Sequence, residues 1–89
     1  MRFRWNQWNV WHVAKHGVQP QEAELVVRRA SRPFPRKIEE DKWLVWGQGH
    51  GGRFLQVIYV LDPDETIYII HCRPLNGAEK RRYRRGRRQ

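Results

Sequence analysis

The feature that most constrains the fold is a succession of three strand-like segments in the second half of the chain. These segments cover residues 42–46, 53–61 and 65–73, and they are rich in the β-branched and aromatic residues that favour extended backbone. The glycine-rich residues 47–52 and the Asp-Pro-Asp turn at 62–64 separate them. Because connections this short join antiparallel neighbours, we predict an antiparallel β-meander.

The N-terminal part of the chain carries helix signals instead. Residues 2–5 favour a short edge strand, after which Asn6 can cap a helix over residues 7–16 that Gly17 ends. Pro20 then suits the first position of a second helix. The buried face of that second helix is predicted to consist of Ala23, Val26, Val27 and Ala30.

Two features of this N-terminal part leave alternatives open. Trp5, Trp8 and Trp11 fall within seven residues and could stack on nucleic-acid bases. Because Trp8 and Trp11 have helical spacing, we predict instead that they pack into the core. Residues 31–40 contain two prolines and mixed charge, which predicts a loop or a poor edge strand.

Length and composition bound the class of protein. The 89 residues permit one domain, covering 1–89, and the single cysteine allows no internal disulfide, so we expect a cytoplasmic protein. No apolar run approaches the roughly 20 residues of a membrane span, so no membrane partner is expected. His12 and His16 lie four residues apart without an evident third ligand. We therefore predict neither a metal site nor another cofactor.

Positive charge is concentrated at the C-terminal end. Residues 80–88 carry seven of the positive charges of a chain whose net charge is +9, and six of the seven are arginine. Asn76 and Glu79 have the spacing of a capping box, so a final helix is predicted to begin after Asn76. A cationic helix indicates a polyanionic partner, either nucleic acid or an acidic protein segment, and the alternative is a solubilising surface.

The third strand leads into this helix through residues that could cleave RNA. Cleavage without a metal needs proton transfer and a cation to stabilise the phosphorane-like charge as the 2′-hydroxyl attacks. Arg73 is the predicted stabiliser, with an ion pair to Glu79 as the alternative. With period-two alternation Ile67, Ile69, His71 and Arg73 share one face. His71 could act as base or acid, or be a satisfied, partly buried side chain.

The remaining candidate site residues extend this edge. Glu79 is either a cap or a third catalytic side chain that holds Arg73. Lys42 and Arg53 begin neighbouring strands and would join the phosphate site if the hairpin brings them near Arg73. Arg81, Arg82 and Arg85 are predicted to bind RNA phosphates. Tyr83 would either recognise a base or pack back on its helix.

A series of short motifs runs along nearly the whole chain. They are Lys15-His16-Gly17-Val18 with Glu22-Ala23, Lys42-Trp43 with Gly47, Gly52-Arg53, Ile69-Ile70, Arg73-Pro74, and Glu79-Lys80-Arg81 with Tyr83. In this order and spacing they resemble the BrnT-like toxins, a branch of the RelE/ParE toxin superfamily. At the positions where that family usually has small residues before its key arginine, this chain has His71 and Cys72.

The resemblance implies a fold and a function. The implied fold is α+β and RelE-like, with two N-terminal helices, a small antiparallel meander and a basic C-terminal helix. The implied function is that of a bacterial endoribonuclease toxin, which cleaves mRNA, free or on the ribosome, inhibits translation and is neutralised by an antitoxin with an acidic surface. Two alternatives stay open: a ParE-like, non-catalytic inhibitor of a topoisomerase, and a basic module that binds RNA or acidic protein.

Overall fold

The computed structural model describes residues 1–87, which form three α-helices and five β-strands. In chain order the elements are β1 (Phe3–Arg4), α1 (Gln7–Ala14), α2 (Pro20–Arg28), β2 (Arg36–Glu39), β3 (Lys42–Gln48), β4 (Phe54–Leu61), β5 (Ile67–Pro74) and α3 (Gly77–Arg87). A short 3-10 turn, His50–Gly52, joins β3 to β4. The α+β class predicted from the sequence is confirmed.

The sheet is mixed rather than purely antiparallel. Its strand order is β1-β5-β4-β3-β2, and β3, β4 and β5 form the predicted antiparallel meander. β2 adds an antiparallel edge strand, whereas β1 pairs in parallel with β5. The predicted meander and the predicted short edge strand at residues 2–5 are both present. The sequence predicted no direction for that edge strand, because most of the chain separates β1 from β5 and no short turn dictates their relative direction.

The core lies between the two N-terminal helices and one face of the sheet, which we call the helix face. α1 packs against β5, and α2 packs against β3 and β4. The buried side chains include Val13, Ala23, Val26 and Val27 from the helices, and Val45, Leu55, Val57 and Ile69 from the strands. This burial confirms the predicted inner face of α2, with Ala30 partly buried beside it.

Local signals place the helix starts as the sequence predicts, whereas α1 ends at Ala14, two residues before the predicted end at residue 16. The Asn6 side chain accepts a hydrogen bond from Asn9 N at 3.2 Å, and the Asn9 side chain accepts one from Asn6 N at 2.7 Å. Gly17 follows α1 with a φ of +69°, and Pro20 occupies the first turn of α2. A cap of this kind is worth about 1 kcal/mol. Within residues 1–87, no helix has the length and apolar character needed to cross a membrane.

A β-bulge in β5 changes which side chains share a face. Tyr59 pairs with Ile69 and its neighbour Ile58 pairs with His71, so Ile70 is an extra residue. The bulge reverses the alternation that follows it. Ile69 therefore lies on the helix face, whereas His71 and Arg73 lie on the opposite face, which we call the open face. The prediction that Ile67, Ile69, His71 and Arg73 share one face is wrong for this reason.

The tryptophans of α1 are not in the core. Trp8 and Trp11 are 49% and 61% exposed, and Val10 is 39% exposed. Only Asn9 and Val13 of α1 are buried, because the helix turns that narrow stripe toward the sheet. The prediction that Trp8 and Trp11 pack into the core is wrong: their spacing indicates a common helix face but does not fix which face is buried.

Candidate nucleic-acid interface

Arg73 joins the end of β5 to the first turn of α3. Its Nη1 and Nη2 each donate to one carboxylate oxygen of Glu79 at 2.8 Å, which forms a bidentate ion pair. Nη1 also donates to Pro74 O at 3.0 Å, and Nη2 has a longer contact of 3.4 Å with Gln56 Oε1. Both terminal nitrogens of the guanidinium are therefore occupied within the protein. The ion pair that the sequence left open as an alternative is present.

Glu79 caps the N-terminus of α3 and at the same time forms the ion pair with Arg73. Its backbone N–H donates to Asn76 Oδ1 at 2.8 Å, and its Oε1 accepts from Asn76 N at 2.9 Å, which is the predicted capping box. The hydrogen bond from Arg73, followed by that from the Asn76 backbone, lowers the pKa of Glu79 to about 2. The carboxylate is therefore a weak base, and it is ionised throughout the neutral range.

His71 lies two residues before Arg73 on the open face and is half-buried. Burial lowers the pKa of His71, and electrostatic interaction with Arg73 and His16 lowers it further, which favours the neutral imidazole. Its Nε2 atom is buried and has no hydrogen-bond partner among the described residues. A neutral imidazole can accept a proton, but in this conformation solvent does not reach that nitrogen.

A line of polar contacts crosses the open face from β3 to α3. Trp46 Nε1 donates to Gln56 Oε1 at 3.0 Å, and the same oxygen is the one that Arg73 approaches. The guanidinium of Arg82 lies 5.2 Å from the centre of the Trp46 ring system. Arg73 thus reaches from the sheet to α3, while Arg82 reaches from α3 back to the sheet.

Lys42 and Arg53 do not join this group. Arg53 lies on the helix side, where Nη2 donates to Glu22 Oε1 at 2.7 Å and to Gly17 O at 2.9 Å. The hydrogen bond with Glu22 raises the pKa of Arg53. Lys42 begins β3 at the end farthest from Trp46 and forms an ion pair with Glu39 at 3.2 Å. Lys42 is therefore at the other end of the hairpin from Arg73, whereas Arg53 is near the same end but on the opposite face of the sheet.

The candidate residues of α3 divide into packed and exposed side chains. Tyr83 is partly buried, and its ring lies 5.8 Å from that of Phe54 and 6.3 Å from that of Phe34. Tyr83 thus packs against β4 and the segment before β2, and these ring contacts are not with its own helix, on which it was predicted to pack as one alternative. Arg81, Arg82 and Arg85 are exposed and make no side-chain hydrogen bond or ion pair within residues 1–87.

Sequence reasoning did not single out Trp46 and Gln56, although both strands carried a usable signal. Each residue directly follows or precedes a core position, Val45 or Val57, and strand alternation assigns them to the opposite face. What the alternation could not reveal is that they pair with one another across β3 and β4. That register depends on the length of the intervening turn.

Nucleophilic attack by Cys72 and binding of a metal ion are two other ways in which side chains could take part in catalysis. Burial raises the pKa of the Cys72 thiol to about 12, so it stays protonated and is a poor nucleophile. Among residues 1–87, no three His, Cys, Asp or Glu side chains come together in a way that could hold a metal ion.

Comparisons with protein-family models, with curated proteins and with solved structures found no match to this chain. The relationship to the BrnT-like toxins therefore stays a prediction from the motifs.

Proposed function

We propose that this protein is the endoribonuclease toxin of a bacterial type II toxin–antitoxin pair, with a RelE-like fold and a cytoplasmic site of action. It would inhibit translation by cleaving mRNA, free or on the ribosome, without a metal ion. The observation that carries the proposal is the position of α3, whose positive charges lie beside the end of β5 that bears His71 and Arg73.

α3 carries positive charge between Lys80 and Arg85 that is not compensated by ion pairs within the described residues. Its sequence contains one acidic residue, Glu79, and Arg73 already neutralises that residue. Its basic side chains from Lys80 to Arg85 form no ion pair within residues 1–87. A row of arginines without counter-charges binds phosphates and supports affinity for RNA of any sequence. The same surface would meet an antitoxin with an acidic surface.

His71, Arg73 and Glu79 would each have a different role in cleavage of the RNA backbone. The 2′-hydroxyl attacks the adjacent phosphorus while His71 Nε2 takes its proton, and the 5′-oxygen leaves with a proton from solvent or from the same imidazole. Arg73 would stabilise the charge on the phosphorane oxygens through its Nε, which makes no hydrogen bond within residues 1–87. Glu79 would hold Arg73 rather than transfer protons, because its pKa is about 2.

The test is RNA cleavage by the purified full-length chain. Labelled single-stranded RNA is incubated with the protein and EDTA, with and without ribosomes, and growth is followed on expression. We expect products with 2′,3′-cyclic phosphate ends, together with loss of cleavage in His71→Gln and Arg73→Lys. The matched control is Arg28→Lys, whose arginine forms an ion pair with Glu24. Intact RNA under every condition, with normal growth, contradicts the proposal.

A second candidate is non-catalytic binding, either to RNA or to a protein target such as a topoisomerase. Three observations favour it: both terminal nitrogens of Arg73 are occupied, the Glu79 carboxylate is a weak base, and His71 Nε2 is covered. Catalysis would require side chains around His71 and Arg73 to move when RNA binds. Growth arrest that persists in His71→Gln without any RNA cleavage would favour this candidate.

A further inference from the structure

A pocket of about 280 Å³ lies between the segment before β2, the middle of β3 and the outer part of α3. We call it the arginine pocket; the residues that matter to the argument are Arg32, Phe34, Arg36, Trp46, Arg82 and Tyr83. We propose that the arginine pocket binds one nucleobase of single-stranded RNA together with its phosphate. The proposal rests on the proposed action on RNA, and it names a binding site for that RNA.

The inner surface of the pocket is aromatic. The rings of Phe34 and Trp46 lie 5.8 Å apart at an angle of 35°, and those of Phe34 and Tyr83 lie 6.3 Å apart at 38°. The polar edge of Trp46 is already satisfied, because its Nε1 donates to Gln56. The Arg82 guanidinium lies over the Trp46 ring, 5.2 Å from its centre, so a base would stack on Trp46 once Arg82 turns from the ring to the phosphate of the same nucleotide. Flat aromatic surfaces stack bases of every kind.

The rim of the pocket is cationic. The guanidinium of Arg36 lies 5.4 Å from the Phe34 ring centre, and that of Arg82 lies 5.2 Å from Trp46. Arg32, Arg36 and Arg82 make no side-chain hydrogen bond or ion pair within the described part of the chain. None of the residues that line the pocket is acidic. These guanidiniums therefore keep their donors for an anion, and arginine suits phosphate because it binds two oxygens at once.

The pocket is small enough to limit its ligand to about the size of one nucleobase. Pockets for drug-sized ligands measure roughly 300–1,000 Å³, so a cavity at the lower limit of that range suits a single base rather than a folded peptide. An acidic peptide could neutralise the rim, but it would not use the aromatic surface. The combination of stacking surface and phosphate-binding rim is complementary to a nucleotide.

The pocket also adjoins the proposed cleavage edge. Trp46 pairs with Gln56, and Gln56 pairs with Arg73 on the next strand. Two strand spacings correspond to about 10 Å between the backbones of Trp46 and Arg73. A base held in the pocket would therefore set which phosphate of the strand lies beside Arg73, so the pocket would fix the position of cleavage.

The test compares two double variants that remove the same charge. Arg32→Ala with Arg36→Ala alters the pocket rim, whereas Arg81→Ala with Arg85→Ala removes exposed arginines that do not line it. Dissociation constants are measured by fluorescence anisotropy at one salt concentration. The probes are a labelled ten-nucleotide RNA and an abasic oligomer of the same charge.

We expect the rim variant to bind the RNA about tenfold more weakly than the Arg81/Arg85 variant, because without the rim arginines the phosphate no longer holds its base on the aromatic surface and one stacking contact is lost as well. On the abasic oligomer, the two variants should bind equally. Equal losses on both probes, no RNA binding by the unmodified protein, or displacement of RNA by a poly-glutamate peptide of equal charge would overturn the proposal. Cleavage that is unaffected by the rim variant also overturns it while leaving the nuclease proposal intact. If RNA binds through the rim but is not cleaved, the pocket proposal stands and the nuclease proposal is contradicted.

Discussion

Two groups of arginines in this molecule have the same chemistry but different surroundings. The first group, which we call the tied arginines, comprises Arg53 and Arg73, and each forms a short ion pair with a glutamate of a helix. The second group, the pocket arginines, comprises Arg32, Arg36 and Arg82, which lie beside aromatic rings or at the pocket rim without an ion pair in the described residues. The difference indicates that the tied arginines hold the fold together, with only Nε of Arg73 left for a substrate, whereas the pocket arginines keep all their donors for a ligand.

The partner carboxylates explain why the tied arginines matter for stability. Glu22 is only 8% exposed, and within residues 1–87 Arg53 is the one side chain with which it forms an ion pair. A buried charge that loses its partner is strongly destabilising. Glu79 remains bonded to the Asn76 backbone even without Arg73, so its loss of a partner is less severe. The pocket arginines leave no carboxylate behind when they are removed.

The largest effect is expected for Arg53→Ala. It leaves the Glu22 carboxylate without its cation and removes the donors to the Gly17 and His16 carbonyls. We expect the free energy of unfolding, measured by urea denaturation, to fall by about 2 kcal/mol, less than for a fully buried pair, because the Arg53 side chain is 40% exposed and water screens the charges. Arg36→Ala serves as the control and should change the free energy by about 0.5 kcal/mol or less. Equal effects of the two substitutions would abolish the distinction between tied and pocket arginines.

Glu79→Gln removes the carboxylate that holds Arg73, so the Arg73 guanidinium becomes more available to a ligand. The substitution weakens the capping box and the bidentate pair, so we expect a loss of about 1–2 kcal/mol in unfolding free energy. RNA should bind several-fold more tightly because the Arg73 guanidinium becomes available. Glu65→Gln removes the same charge at an exposed turn and controls for net charge. If both substitutions raise the affinity equally, Arg73 makes no contact with RNA.

His71 tests whether the polar residue beside Arg73 has a structural role. Its buried Nε2 lacks a partner within residues 1–87, and such an atom costs about 1–3 kcal/mol. His71→Leu should therefore leave stability unchanged or raise it by up to about 1 kcal/mol. RNA cleavage should disappear at the same time. A clear loss of stability in urea denaturation would mean that the imidazole supports the fold.

The smallest effect concerns stability in acid. The pKa of Glu79 is lowered from 4.5 to about 2, so the unfolded chain takes up this proton at a higher pH than the folded chain does. The stabilisation is complete above the unfolded pKa and is lost as the pH falls from about 4.5 to about 2. Unfolding measured across this range should show a shallower decline in Glu79→Gln. Identical pH profiles would show that the ion pair with Arg73 adds nothing to stability.

The parts of the fold that the sequence predicted depend on residues close together in the chain. The Asn6 cap, the Pro20 helix start, the Asn76–Glu79 capping box and the three meander strands follow from local chemistry. The bulge at Ile70 depends on how two strands fit over the core, and one extra residue was enough to reverse the face of Arg73. Distant pairings are therefore where sequence reasoning failed.

The candidate site shows the same limit. The sequence indicated an ion pair between Arg73 and Glu79 because they lie six residues apart around a turn. Nothing local indicated that Glu22 binds Arg53, since 31 residues separate them. The arginine pocket draws on three separate segments, so its residues share no sequence pattern. The exposure of Trp8 and Trp11 likewise depends on which stripe of α1 meets the sheet.

The salt dependence of RNA binding tests the central distinction most directly. Affinity is measured against KCl concentration for Arg32→Ala, Arg36→Ala and Arg82→Ala, and for Arg4→Ala, whose arginine is bonded to Asp62. We predict that each pocket substitution lowers the slope of log affinity against log salt by about 0.7, the value for one phosphate contact on a single strand. Arg4→Ala should leave the slope unchanged. The same decrease in all four variants would contradict the account, because RNA would then sense only total charge.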